Sequence, residues 1–326
     1  VVGRLPEFQK TYAQGSGGVF STTSGTSWGP KISELPNDAT YGGNTDNEYT
    51  QKFGKQQGKY YVPQRAAAGL DPWATPQAYD NAKDFFDTGI TWSNSLNVAQ
   101  MLDKSSYSIS LGNTHQDGII SSTGMDRYNV KVSADTKLTN NWSSGFTANY
   151  ITTSIDKAVT SGNGLLRTVY AAPPSYDLAG IPSHVDGNPY TQNSFRGSFD
   201  NAYWAMDNNK FTEDTNRFFG NVYASYQTDF GTTNHKLNAK YMVGVDAYTT
   251  HYVDSYGYGS NTGGGRGQIE NYGWTNATYN SLLTINYDWR INEDWGLNAV
   301  LGNEIIQSNR KKYYEYGTNY NFPGWN

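Results

Sequence analysis

The side chains in this chain best able to do chemistry are four histidines, 29 acidic residues and one glycine-rich run. The histidines are His115, His184, His235 and His251. No two stand at a metal-ligand spacing and no His-Glu-x-x-His motif occurs, so a metal centre is not expected. All four fall in or near expected loops and turns, where solvated histidines are ordinary. Gly257 to Gly267 is rich in glycine but lacks the Gly-Lys-Ser/Thr ending that cradles a phosphate, and no helical pattern follows it. It reads as the flexible tip of an outer loop. Asp46, Asn47 and Glu48 could offer oxygens to calcium, but not at helix–loop–helix spacing, and a solvated Asn/Gly loop is the better account of them. Glycoside hydrolysis needs two carboxyl groups roughly 5–9 Å apart, and nothing in the sequence brings a named pair together. No catalytic residue, metal ligand or cofactor is expected, and the chain is read as a non-enzyme.

Aromatic residues offer a different chemistry, that of binding. Trp73, Tyr79, Tyr170, Tyr176, Tyr203 and Trp204 lie in the two longest stretches without strand periodicity. Sugar rings stack apolar C–H faces on such rings and leave their hydroxyls to Asn, Asp, Arg and Gln. The same rings can equally pack loops together or against a lid protein. These six are the candidate substrate-contacting residues.

The elements that position them follow from composition and periodicity. Among 326 residues only 36% are hydrophobic and only 16% charged, while 27 Tyr, 9 Trp and 13 Phe are present. Mean hydropathy is -0.71. A chain this poor in apolar residues is usually highly charged or disordered, and disorder does not explain the aromatics. An all-β protein remains, either secreted and soluble or an outer-membrane barrel whose strands turn one face to a wet lumen. Net charge is -5 without a basic block, so nucleic acid is not an expected partner. Cysteine is absent, which removes disulfides and thiolate metal sites. No apolar run of about 18 residues offers a transmembrane helix.

From about residue 91 a period-two alternation begins. Tyr128, Val130, Val132 and Ala134 alternate with Asn129, Lys131, Ser133 and Asp135. Segments 142–152, 216–230, 236–248 and 279–289 repeat the pattern, 295–306 does so less cleanly, and 91–99 and 105–113 precede them. Connections near 100–104, 139–141, 231–234 and 291–294 are short, while those near 114–126, 154–215 and 249–268 are long. Alternation of tight turns and long loops is the layout of an outer-membrane barrel, with the tight turns at the periplasm. Trp142, Phe230, Trp289 and Trp295 sit beside the short turns, where amphipathic rings would form a membrane-interface girdle. Capping of a soluble sandwich core is the competing account of the same four.

Residues 1–90 lack this rhythm and are expected to hold the end of one strand near 7–14 and then a long outer loop; 91–326 hold the strands. Within the loops, Thr75–Phe86 predicts a short helix with Pro76 in its first turn, and Gly164–Tyr170 predicts a helical turn stopped by Pro173-Pro174.

Several blocks, taken in order, resemble the SusC/RagA family of TonB-dependent transporters. They are Leu5-Pro6-Glu7-Phe8-Gln9 with Tyr12-Ala13-Gln14-Gly15, Ser27-Trp28-Gly29-Pro30, Phe85-Phe86-Asp87-Thr88-Gly89 with Trp92-Ser93-Asn94-Ser95-Leu96, Tyr107-Ser108-Ile109-Ser110-Leu111, Gln116-Asp117-Gly118-Ile119-Ile120, Arg127-Tyr128-Asn129, Ala202-Tyr203-Trp204 and Arg217-Phe218-Phe219-Gly220. The resemblance implies a 22-stranded barrel closed by a plug, glycan or peptide import powered by TonB–ExbB–ExbD, and a SusD-like surface lipoprotein as lid. This chain would supply about eight or nine antiparallel strands of that barrel, roughly its first third, with no plug and no TonB-contacting segment. The natural chain is therefore expected to be longer at both ends, with Pro323-Gly324-Trp325-Asn326 falling inside a loop. The bacterial outer membrane, with its lipid, is the expected setting. A passive porin and a soluble secreted carbohydrate-binding β-protein are the alternatives.

Overall fold

In a computed structural model, residues 5–159 and 164–324 are described, and the terminal Val1-Val2-Gly3 and Trp325-Asn326 lie outside them. The chain first builds a layer of short elements. These are the hairpin β1 (Gly15–Ser16) and β2 (Val19–Phe20), a 3-10 helix at Ile32–Asn37, α1 (Glu48–Phe53), β3 (Tyr60–Tyr61), α2 (Pro63–Ala67), β4 (Trp73–Ala74) and α3 (Asn81–Phe85). Four meander strands follow: β5 (Thr91–Met101), β6 (Ser105–Asp117), β7 (Gly124–Lys137) and β8 (Trp142–Asp156). An excursion then carries α4 (Leu165–Ala171), β9 (His184–Val185), β10 (Asn188–Gln192) and α5 (Ala202–Asn208). The meander resumes with β11 (Lys210–Thr228), β12 (His235–Tyr256), β13 (Gln268–Arg290) and β14 (Gly296–Thr318).

The eight long strands form one antiparallel sheet in the order β14-β13-β12-β11-β8-β7-β6-β5. Each strand therefore pairs with its neighbour in sequence, and β8 meets β11 across the excursion through pairs such as Ala148↔Gly220 and Phe146↔Val222. The all-β architecture and the alternating segments agree with the sequence expectation. β5 and β14 are the outer strands of the sheet, and each has one backbone edge without a strand partner among the described residues.

Strand lengths differ from expectation. β12 has 22 residues, and β13 and β14 have 23 each. At about 3.3 Å per residue this is on the order of 75 Å, against the 9–11 residues that cross a bilayer. The ladder continues past the end of clean alternation because backbone pairing does not need an apolar face. Extension shortens the connections. The link expected near 114–126 contracts to residues 118–123 between β6 and β7, no longer than the 229–234 turn. The strict alternation of short and long links is thus broken at that place, while 157–209 and 257–267 remain long.

Two local expectations are corrected. No strand forms at 7–14; that stretch makes the isolated bridge Tyr12↔Lys31 and buries Ala13 and Gln14 in the loop layer. The helix expected at Thr75–Phe86 begins only at Asn81. Tertiary partners hold the preceding residues extended: the Tyr79 N–H donates to the Pro174 carbonyl at 2.8 Å. The helical turn near 164–170 does form, as α4.

The hydrophobic core lies apart from the big sheet. Buried hydrophobics such as Leu35, Tyr60, Phe85, Val169, Leu178, Phe195 and Trp204 come from residues 13–85, Ile120 and 165–205, and none from the eight long strands. Two sequence-distant segments, 5–90 and 157–209, therefore share one core.

Candidate functional site

Register places the alternating residues of the sheet on two chemically distinct faces. One face carries Leu96, Leu111 and Val130 in register, Phe146, Val222 and Val243 in register, and Leu301. Each is at least 40% exposed. A continuous apolar surface that no second sheet covers costs free energy in water, at about 25 cal/mol per Å², and is stable where the solvent is itself apolar.

Aromatic rows border this band at two levels. Toward the short turns lie Trp142, Trp289, Phe230 and Trp295, all exposed. Trp142 packs on Tyr226 at 5.0 Å, and Trp289 stacks on His235 at 5.7 Å. A second row, not singled out from the sequence, comprises Tyr128, Tyr150, Phe218 and Tyr279, all exposed. Tyr150 pairs with Phe218, and Trp142 with Tyr226. The rows are thus eight residues apart on β8 and β11. With a rise of about 3.3 Å and a tilt of about 40°, that is on the order of 20 Å, close to the ~25 Å apolar band of outer-membrane barrels.

The opposite face is polar and cross-linked. Arg217 donates to both oxygens of Asp246 at 2.8 and 2.6 Å. Ser108 meets Ser133 at 2.8 Å, and Thr278 meets Ser308 at 2.7 Å. Tyr223 reaches across β8 to donate to Asp135 at 2.6 Å. A Cβ at Gly145 would sit 2.8 Å from the Tyr223 ring and 2.2 Å from the Asp135 carboxylate, so the glycine keeps that path open.

Above the sheet, the six candidate binding aromatics divide. Trp73, Tyr176 and Trp204 are buried core residues, at 7%, 3% and 1% exposure. The Trp204 indole donates to the Pro189 carbonyl at 2.8 Å, and Tyr61 meets Trp73 edge-on. Burial pushes the Tyr176 hydroxyl pKa up, and that oxygen has no hydrogen-bond partner. Tyr203 is half-buried against Phe85. Tyr79 and Tyr170 line a common cleft with Phe8, Lys10 and Asp80. Phe8 stacks on Tyr170 at 5.8 Å, and Lys10 pairs with Asp80 at 3.0 Å, which lowers the Asp80 pKa. Only these last two of the six keep ring surface at an open cleft.

Polar side chains lock the layer. Asn81 donates to the Pro173 and Tyr176 carbonyls and accepts from the Leu178 N–H. Asn201 caps α5 by accepting from the Tyr203 N–H, and it donates to the Asn193 carbonyl. Asn47 is consumed in the same way: with Thr50 it forms the capping box of α1, while Asp46 pairs with Lys55 at 2.9 Å. The glycine run at 257–267 is a loop, as expected, but not a free tip. Asp200 accepts from the Ser260 hydroxyl at 2.6 Å and from the Asn261 N–H at 2.7 Å, and Gln192 donates to the Gly259 carbonyl at 2.9 Å. Three histidines are also displaced from the expected loops. His115, His235 and His251 lie in strands because β6 and β12 extend that far. His115 pairs with Asp126 at 2.8 Å, and no group of three or more candidate metal ligands occurs among the described residues.

Comparison with known proteins finds no matching family model and no matching curated sequence. Solved structures do match. The chain is similar to the structure of the RagAB peptide importer in the closed-closed state, with a TM-score of 0.60 and 16% identity over 75% of this chain. The RagAB peptide transporter matches with a TM-score of 0.59 and 17% identity over 74% of the chain, and the open-open state with 0.58 and 16% over 74%. In each case the chain spans 27% of the neighbour's length, so it shares the fold of about a quarter of those proteins.

Proposed function

We propose that the chain is the early part of the barrel of a SusC-like, TonB-dependent importer in the bacterial outer membrane, carrying glycans or peptides. The observation that carries this reading is the exposed apolar band, bordered by two aromatic rows, on a sheet that contributes nothing to the hydrophobic core. Likeness of fold to a peptide importer supports it. Two open strand edges are not tolerated in lipid, so further strands would complete the cylinder. The polar face lines the lumen or meets a plug, and the packed layer of 5–90 with 157–209 covers the outer mouth, where a SusD-like lipoprotein would sit. Coupling to TonB–ExbB–ExbD would run through the plug.

The test uses the full-length protein. Extraction from membranes only with detergent, and faster gel migration when unheated, are the expected results. Release by salt or carbonate, with no heat-modifiable form, refutes the membrane reading. Retention of a surface lipoprotein on the affinity-purified barrel tests the lid, and loss of uptake on TonB deletion tests the coupling.

A further inference from the structure

On the polar face of the sheet, above the level of the aromatic rows, four rings gather on three strands. Tyr252 of β12 and Tyr272 of β13 are paired partners, stacked at 4.9 Å with 7° between their planes. Trp274 lies 5.4 Å from Tyr252, and Tyr314 of β14 lies 6.4 Å from Tyr272. None of the four is fully buried, and Tyr314 is 63% exposed. The Trp274 indole nitrogen has no hydrogen-bond partner.

Charge around this platform is polarised. At its outer end Asp254 and Glu270 are directly paired residues. Asp254 accepts from the Tyr272 hydroxyl at 3.1 Å, and neither acid has a cationic partner among the described residues. At its inner end Lys312 pairs in register with Trp274, and Arg310 with Asn276. Arg310 lies over the Trp274 ring at 4.8 Å, and neither cation meets a carboxylate among the described residues. Two other charge pairs on this face are matched, Lys157 with Glu213 at 3.5 Å and Arg217 with Asp246 at 2.6 Å. From Glu270 to Trp274 and Asn276 is four to six residues along β13, on the order of 13–20 Å.

We propose that this platform is a binding site for an extended oligopeptide of about four to six residues. Its free α-amino group lies at Asp254 and Glu270, its α-carboxylate at Arg310 and Lys312, and its side chains on the rings between. An extended chain covers about 3.3–3.6 Å per residue, which matches the span between the charged ends. A neutral oligosaccharide would use the rings but leave both charge pairs without a role. Lys157 lies over the Tyr252 ring at 4.5 Å and also lines a small cavity of about 40 Å³ with Phe211 and Tyr256 under the loop layer. The platform therefore continues inward from that cavity. The assignment rests on the importer reading for which face is the lumen, and it deepens that reading by naming the substrate's polarity.

The experiment measures binding by the purified full-length protein in detergent, without transport. The probes are Ala-Ala-Tyr-Ala-Ala with free ends, the same peptide acetylated or amidated, and maltopentaose. Free peptide should bind, with acetylation and amidation each weakening it about three- to fivefold. Trp274→Ala should weaken it about tenfold. The decisive variant is Arg310→Gln, which should abolish the difference between amidated and free peptide while keeping the penalty of acetylation. Equal binding of all three peptides, or tighter binding of maltopentaose that Trp274→Ala reduces, overturns the proposal. Gel heat-modifiability of the same sample reports independently whether the barrel reading stands.

Discussion

Arginine placed on adjacent residues of one strand separates a membrane wall from a soluble sheet. Val222 and Asn221 are neighbours on β11, both exposed, and they face opposite sides. Val222 lies four residues from Tyr226 and four from Phe218, midway between the aromatic rows, with Phe146 and Val243 as its cross-strand partners. If the band meets lipid, this is the bilayer midplane, where arginine costs about 2–4 kcal/mol. That is roughly 30- to 700-fold in the folding equilibrium at 1.4 kcal/mol per decade. Asn221→Arg, on the polar face, should cost less than about 1 kcal/mol, as surface changes do. Denaturant titration of the full-length protein folded into lipid vesicles, read by gel heat-modifiability, measures both. Equal costs, or a greater cost for Asn221→Arg, would show that the band does not face lipid.

The loop layer offers independent tests. Trp204→Ala removes the largest fully buried side chain and orphans the Pro189 carbonyl, so the layer should lose about 3–5 kcal/mol; limited proteolysis should then cut within 157–209 while heat-modifiability persists. Gly259→Val should displace the 257–267 loop. Gly259 has φ +101°, and an added Cβ would meet the Tyr190 carbonyl at 2.0 Å; faster amide exchange there is the readout. Asp200→Ala should produce the same exchange signature without backbone strain, because Ser260, Asn261 and Gln192 lose a shared acceptor. The Lys10–Asp80 contact holds the Asp80 carboxyl below its usual pKa. Its contribution is present above the unfolded pKa near 4 and fades as pH falls through the lowered folded value. Lys10→Gln should remove that acid-side loss from the pH profile of proteolysis within 75–90.

Much of the sheet was legible because alternation is a local property. Val130, Val132 and Ala134 declare a face by their spacing alone, and each neighbouring strand repeats the signal. Strand ends were less legible. In β12 and β13 the ladder runs on to Tyr256 and back to Gln268, through residues whose alternation has faded, because pairing there is sustained by the neighbouring backbone. The helix at 75–86 was overestimated for the same reason: Pro76 suits a first turn, but the long-range bond from Tyr79 to Pro174 wins. Helices α1 and α5 were missed, although Asn47 and Asn201 stand in capping positions that a search for N-caps would mark.

The six loop aromatics show where sequence reasoning stops. Composition marks Trp73, Tyr176 and Trp204 as rings in long loops, and ring type alone does not tell packing from binding. Burial in a core shared by the segments 5–90 and 157–209 decides it, and no local pattern encodes that core. The platform of Tyr252, Tyr272, Trp274 and Tyr314 is likewise invisible one strand at a time, because cross-strand register brings it together. By itself, then, the sequence determined the all-β class and the two-faced strands, since period-two patterning needs no distant partner. The tertiary structure alone decided which aromatics are core, which are open and which charges confront one another, since those depend on register and long-range packing.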